Sequence, residues 1–361
     1  MNNEISLRTV KGEYLPGETV HGAVYLLISR PTEANCIQIT FKGIETCTYK
    51  YEHEGRKTLQ NDTAHADFSN VNLYSQKEYF QFGSYVFPFK FELSKTIPGT
   101  FHCTGKQNGA EWEVDVSYVL QAQANTMQVS QKIVVYQVDE TNMQNNLLGQ
   151  AKDVSFSPSF FSKTRVHITV RLIKNYVETG DNMMMRLILT NPSKLHVTGF
   201  SIKLLRYLKL YLTYRGTSEK QLTANMEFTN GVIVVAPETG PHTVYSMEGE
   251  SCAFSAGNSS LDRLQIPLKE NRINLPPSVE GKNVKNQYGL EVRVKFSNGH
   301  SETLLLPIPG VLPCKNEQWS QWCPPDWTFK AETKLSSSLF SVPEYLLRTE
   351  AFSGLPTFQV L

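Results

Sequence analysis

The chain is short of charge. Charged residues make up 19% of its 361 positions, and the basic and acidic side chains nearly cancel to a formal net charge of +1. That balance gives no argument for a nucleic-acid partner, so any electrostatic role must come from local patches. Apolar runs such as Val232-Ile233-Val234-Val235-Ala236 fall far short of a membrane span. Cysteines are few and scattered: Cys36, Cys47, Cys103, Cys252, Cys314 and Cys323. They form no CxxC and no Cys/His quartet with ligand spacing, so no metal is expected. GxSxG, HExxH, P-loop and GxGxxG signatures are missing, which argues against an enzyme and gives no reason to expect a cofactor. The opening Met1-Asn2-Asn3-Glu4 is polar and acidic, unlike a secretory leader. The expectation is a soluble, cytosolic chain with reduced thiols, in which Asn61-Asp62-Thr63 and Asn258-Ser259-Ser260 match the glycosylation pattern without meaning. No long amphipathic helix is written anywhere.

What is present is strand and turn. Hydrophobic residues reach 40%, enough to build cores in two domains of ordinary size. Tyr14-Leu15-Pro16-Gly17-Glu18 is a turn, because Pro presets φ and Gly accepts φ > 0. After Gly22, Ala23, Tyr25 and Leu27 alternate with Val24, Leu26 and Ile28. Both faces are apolar, which predicts a strand in the middle of a sandwich. A related unit returns about 160 residues later as Tyr176-Val177-Glu178-Thr179-Gly180-Asp181, followed by Met183, Met185, Leu187 and Leu189. Two such units predict two similar domains in tandem.

Between them, Ile37, Ile39 and Phe41 mark a half-buried strand ending at Gly43. Polar residues from His53 to Asn70 predict a long mobile loop. Phe87, Phe89, Phe91 and Leu93 share a face, and Pro88 places that strand at an edge or bulge. Trp112, Val114, Val116 and Tyr118 alternate with Glu113, Asp115 and Ser117; burying those four contributes about 8 kcal/mol before entropy is subtracted. The stretch from Phe200 to Arg215 fits either a helix or a strand broken by Arg206, and its β surroundings decide for strand. Asn298-Gly299 predicts a hairpin turn. The organisation expected is residues 1–140 as a first sandwich, 141–160 as a linker and 161–312 as a second. Residues 313–361 follow as a tail, partly disordered or packed on the second domain.

In this order the motifs resemble the arrestin family, in particular its α-arrestin (arrestin-domain-containing) branch. The resemblance is carried by Tyr14-Leu15-Pro16-Gly17-Glu18 with Gly22, Phe41-Lys42-Gly43, Phe87-Pro88-Phe89 and Ile97-Pro98-Gly99. In the second half it is carried by Tyr176 with Gly180-Asp181, Asn191-Pro192-Ser193, Leu264-Gln265-Ile266-Pro267, Pro277-Ser278 and Leu306-Pro307-Ile308. It implies an all-β fold of two tandem immunoglobulin-like β-sandwiches with an irregular C-terminal tail and no catalytic site. It also implies an adaptor, cytoplasmic and peripheral at the plasma membrane or endosomes. Such an adaptor binds membrane receptors or transporters and brings ubiquitin ligases or coat proteins to them. Pro98, Gly99, Gly105 and Gly109 leave no room for the first-domain helix of the visual and β-arrestin branch. The alternative is a stoichiometric coat subunit similar to the retromer arrestin-like subunit.

The resemblance also directs attention to sites. Val342-Pro343-Glu344-Tyr345 is a variant of the Pro-Pro-x-Tyr motif with which α-arrestins recruit WW-domain HECT-type ubiquitin ligases; Val342, Pro343 and Tyr345 would dock in the aromatic grooves of a WW domain. Pro324-Pro325-Asp326-Trp327 has tryptophan where tyrosine is wanted. Arg8 and Lys11 lie where phosphate-sensing arrestins read receptor tails, although a solvated strand edge accounts for them as well. Lys163, Arg165, His167 and Arg171 share one strand parity, and Lys203, Lys209 and Arg215 another. Together they form a candidate basic face for anionic lipid or acidic cargo, or a plain solvent-facing sheet. Cys252 stands near a cysteine that bonds to thioredoxin in one α-arrestin subfamily, but no basic neighbour lowers its pKa. Cys314 and Cys323 are a candidate tail disulfide that the cytosol disfavours. Trp319, Trp322 and Trp327 read as packing anchors for the tail or as a partner-binding strip, with packing preferred.

Overall fold

The computed structural model describes residues 2–52, 55–138, 143–146, 149–158, 163–213, 225–229, 232–238, 241–250 and 257–334. Among the described residues strand accounts for 66% and helix for 3%, so the fold is all-β. The first sandwich uses β1 (Glu4–Thr9), β2 (Glu13–Tyr14), β3 (Thr19–Ile28), β4 (Cys36–Glu52), β5 (Arg56–Ser75), β6 (Gly83–Glu92), β7 (Phe101–Gln107), β8 (Ala110–Ala124) and β9 (Met127–Val135). One of its sheets runs β1-β3-β6, and the other runs β2-β9-β8-β4-β5 with β7 also on β8. Leu7, Val24, Leu26, Phe87 and Phe89 of the first meet Ile39, Phe41, Trp112, Val114 and Tyr118 of the second in one buried core.

From Arg56 onward the polar stretch expected to be a mobile loop is strand. Residues 56–75 form β5, which pairs antiparallel along β4, with three irregularities absorbing the length mismatch. An edge strand is held by its backbone ladder and needs no apolar alternation, so composition misleads there. Pro88 sits as expected near an edge. Val86, two residues earlier, turns its carbonyl away from β3 to accept from the amide of Lys334, and Pro88 faces the same way, so its missing N–H breaks no bond to β3. The Pro16-Gly17 turn holds Gly17 at φ 83°, and its counterpart Gly180 at φ 91°, both in the region that favours glycine.

The second sandwich uses β10 (Ala151–Phe156), β11 (Val166–Leu172), β12 (Tyr176–Glu178), β13 (Asn182–Asn191), β14 (Val197–Thr213), β15 (Met226–Thr229), β16 (Val232–Val235), β17 (His242–Glu250) and β18 (Gly257–Pro267). After these come β19 (Lys269–Glu270), β20 (Ile273–Asn274), β21 (Val279–Glu280), β22 (Val284–Phe296), β23 (Ser301–Ile308) and β24 (Gly310–Leu312). Its sheets are β10-β11-β13-β18 and β15-β16-β14-β22-β21, the latter flanked by β17 and β23. Residues 151–156, assigned to the linker for their polarity, are thus an edge strand paired with β11. The region after Phe200 is a strand as expected, and Asn298-Gly299 joins β22 to β23. β14 is long enough to serve two cores. Phe200, Ile202 and Leu204 pack in the second sandwich, whereas Leu208, Leu210 and Leu212 belong to the core of the first.

Of the described tail, Cys314 and Lys315 touch Thr179 and Glu178 of the second sandwich, but residues 316–334 do not lie on it. After β24 the chain crosses back to the first, through α1 (Glu317–Ser320), a 3-10 turn at Asp326–Lys330 and β25 (Glu332–Thr333), which pairs parallel with β6. The cause is the second apolar face of β3. Ala23 and Tyr25, with Val86, point away from the sandwich interior, and Trp322, Trp327 and Ala331 cover them.

Candidate interaction surfaces

Arg8, on β1, lies under this strap. Its guanidinium is 3.9 Å from the Trp319 ring centroid and 4.9 Å from that of Trp322, and Nη1 donates to the Trp319 carbonyl. Burial pulls its pKa down to about 10, which still leaves it charged at neutral pH. Asn316 caps α1 by accepting from Trp319 N at 3.1 Å, while its amide donates to the Lys132 carbonyl at 2.6 Å. Trp319 Nε1 donates to the Thr9 carbonyl at 2.9 Å and Trp327 Nε1 to Glu4 at 2.8 Å. Lys11 is paired with Glu18 at 2.9 Å. Arg8 is therefore a strut for the strap and not part of an open basic patch with Lys11. Trp327 belongs to the strap as well, so Pro324-Pro325-Asp326-Trp327 is folded into the body of the protein. Cys314 and Cys323 are separate free thiols.

The basic residues of the second sandwich do not form one face. The buried sides of β11 and β14 meet in a single core, so their outer sides look in opposite directions. Arg165, His167 and Arg171 belong to one outer side, where Arg165 Nη1 reaches Ser155 Oγ at 3.5 Å; Lys163, exposed, precedes them in the chain. Lys203 and Lys209 belong to the other: Lys203 pairs with Glu291 at 3.2 Å, and Lys209 stands opposite Lys285 in the strand register. Two further arginines join the first group. Arg186 stands on the outward parity of β13, between the buried Met185 and Leu187, and it is ion-paired with Asp262 at 2.5 Å. Arg263 is aimed by a bulge that no sequence pattern announces.

Sequence reasoning also missed the junction between the sandwiches. Glu45 occupies the inward parity of β4, between Phe41 and Cys47, and is fully buried. His65 Nε2 lies 2.6 Å from Glu45 Oε2, and the backbone amides of Lys282 and Asn283 donate to the carboxylate at 3.0 and 2.7 Å. Burial would raise this carboxyl, but the hydrogen bonds from His65, Asn283 and Lys282 outweigh it and hold its pKa below the ordinary value. Asn61 extends the seam, exchanging hydrogen bonds with Tyr211, Thr213 and Asn283. Arg206, the residue that interrupts the β14 pattern, is buried in a bidentate pair with Glu238.

A cleft of about 990 Å³ opens beside this pair, lined among others by Cys103, Trp112, Arg206, His242 and Glu270. Burial raises the Cys103 thiol, which keeps it protonated and a poor nucleophile. His242 is held by Glu270 at 2.6 Å. Among the described residues no group of three or more His, Cys, Asp and Glu side chains is placed to hold a metal ion, and no helix is long and apolar enough to cross a membrane. Cys252, Val342, Pro343 and Tyr345 lie outside the described residues.

Comparison with known proteins agrees with this architecture. The family model for the arrestin (or S-antigen) N-terminal domain matches residues 4–142, and that for the C-terminal domain matches residues 162–313. Arrestin domain-containing protein B of Dictyostelium discoideum is 21% identical over 259 residues, which is 67% of this chain and 40% of the relative. Arrestin domain-containing protein A of the same organism is 23% identical over 207 residues, 53% of this chain and 35% of the relative. The matched region thus spans well under half the length of these relatives. Two tandem sandwiches, each matched by its own domain model in the right order, place the chain in the arrestin family as an arrestin-domain-containing protein of the α-arrestin type.

Proposed function

We propose that this chain is a non-enzymatic adaptor that binds the cytosolic parts of membrane receptors or transporters and recruits a WW-domain HECT-type ubiquitin ligase for endocytosis and endosomal sorting. Family membership supports an adaptor-type role in general. The observation that carries the finer reading is the strap. It fastens residues 316–334 to the first sandwich and ends with Lys334 N donating to the Val86 carbonyl at 2.8 Å. The Val342-Pro343-Glu344-Tyr345 motif follows a short way on, tethered to a folded body. Pro343 favours the polyproline II form, and Tyr345 supplies the second anchor for a WW groove. The adaptor would work in the cytoplasm, at the plasma membrane or endosomes, where coat proteins or anionic lipid are further candidate partners.

The test is a pull-down of the full chain by an isolated HECT-ligase WW-domain array. Replacing Pro343 and Tyr345 by alanine should abolish capture. Capture that persists at wild-type level would rule out ligase recruitment through this motif.

A further inference from the structure

The outer side of the β10-β11-β13-β18 sheet has an unusual make-up. Residues facing each other across adjacent strands point the same way. Arg171 on β11 faces Arg186 on β13, and His167 faces Thr190. Between Met185/Leu264 and Leu187/Leu261 the ladder shifts, so that Asp262 and Arg263 both stand opposite Arg186. Met185 and Leu187 are buried, and Leu261 and Leu264 pack against the same core. Both bulge residues are therefore forced to the outside. Arg263 is held there at φ 58°, a conformation disfavoured for a residue with a side chain. Like charges set side by side and a strained backbone both cost stability, and folding alone does not require them.

Four arginines (Arg165, Arg171, Arg186 and Arg263) thus share the face with two carboxylates, Asp153 and Asp262. Asp262 is taken by Arg186 and Asp153 by Thr169. Arg171 and Arg263 are exposed and have no ion-pair partner among the described residues. Between the arginine-bearing ends lie Thr169 and Ile188, with Asp153 beside Thr169 on the edge strand.

We propose that this face docks an acidic, extended segment of a partner protein, with Arg171 and Arg263 binding carboxylates at one end and Arg165 at the other. This rests on the adaptor reading and names a cargo-side surface for it. Arginine presents a planar fork that matches a carboxylate in two hydrogen bonds, whereas a diffuse anionic membrane is served equally well by lysine. Asp153 and Asp262, set within the face, would repel a continuous anionic surface but leave room for a peptide running between them. Arg165 and Arg171 are six residues apart on an extended chain, about 20 Å, the reach of a peptide of similar length.

The test uses the full chain and a fluorescein-labelled peptide with two glutamate clusters flanking a short Thr-Val spacer, read by anisotropy. Wild-type protein should bind it in a salt-sensitive manner. Arg171→Glu with Arg263→Glu should weaken binding at least about tenfold, and Arg171→Gln with Arg263→Gln about threefold or more. Both pairs are exposed, and unchanged thermal unfolding of the glutamine pair separates binding from folding. Absent binding, or equal affinity in wild type and the reversed variant, overturns the proposal. So does capture of phosphatidylserine-containing vesicles through these arginines without peptide binding, which would make the face a membrane contact. Capture by the WW-domain array runs through Pro343 and Tyr345 and should be the same in all these variants, so the two readings fail separately.

Discussion

Replacing Glu45 by alanine removes the acceptor on which the seam between the sandwiches converges. Three donors lose their partner at once: His65 Nε2 and the amides of Lys282 and Asn283. A buried donor left without an acceptor costs about 1–3 kcal/mol. Some of that is recovered as water or side chains enter the space, so the expected loss is about 3–5 kcal/mol. Thermal unfolding should then fall by about 6–10 °C. Its pH dependence gives a second check. The folded-state pKa of Glu45 lies below its ordinary value of 4.5, so its stabilising contribution is complete above that value and fades as pH falls through the folded pKa. The gap between wild type and Glu45→Ala should be full at neutral pH and shrink as the pH falls below 4.5 and through the folded pKa. Calorimetry that finds the two proteins within about 2 °C at pH 7, or a gap that widens on acidification, would refute the argument.

Two further outcomes follow from close packing. A Cβ on Gly22 would stand 2.5 Å from the Phe89 ring and 2.6 Å from the Arg8 carbonyl; the backbone cannot yield as a side chain can, so Gly22→Ala should lower stability by about 1–3 kcal/mol in chemical denaturation. Trp319→Ala removes the indole bond to Thr9 and one of the rings over Arg8, and should cost about 2–3 kcal/mol while making residues 316–334 quicker to exchange amide hydrogens; unchanged exchange there would mean that the strap is held by other contacts.

The sequence carried the β-sandwich architecture because inward-facing side chains alternate in long, clean runs such as Trp112 to Tyr118 and Val166 to Leu172. It was informative even where its meaning was incomplete. β3 was apolar on both sides, and the second side turned out to wait for Trp322 and Trp327, which stand some three hundred residues away in the chain. β5 was misread because its ladder is made of backbone, which composition does not report. Glu45 and Arg206 interrupted apolar parities openly, but a buried charge is intelligible only once its partners, Lys282 and Asn283 or Glu238, have been brought to it by the fold. The bulge at Arg263 left no mark at all, because it arises from a count of residues on two strands rather than from their types.

β14 binds its two ends to different cores, and this limits how the protein can be divided. The first sandwich takes Leu208, Leu210, Leu212, Ile233 and Val284 from beyond the repeat boundary as part of its own interior. A fragment cut between the two halves would therefore lack a section of its floor, and the other fragment would carry that section as bare leucine. What began as a repeated unit has become indivisible, so transplanting it into a chimera requires moving both halves together.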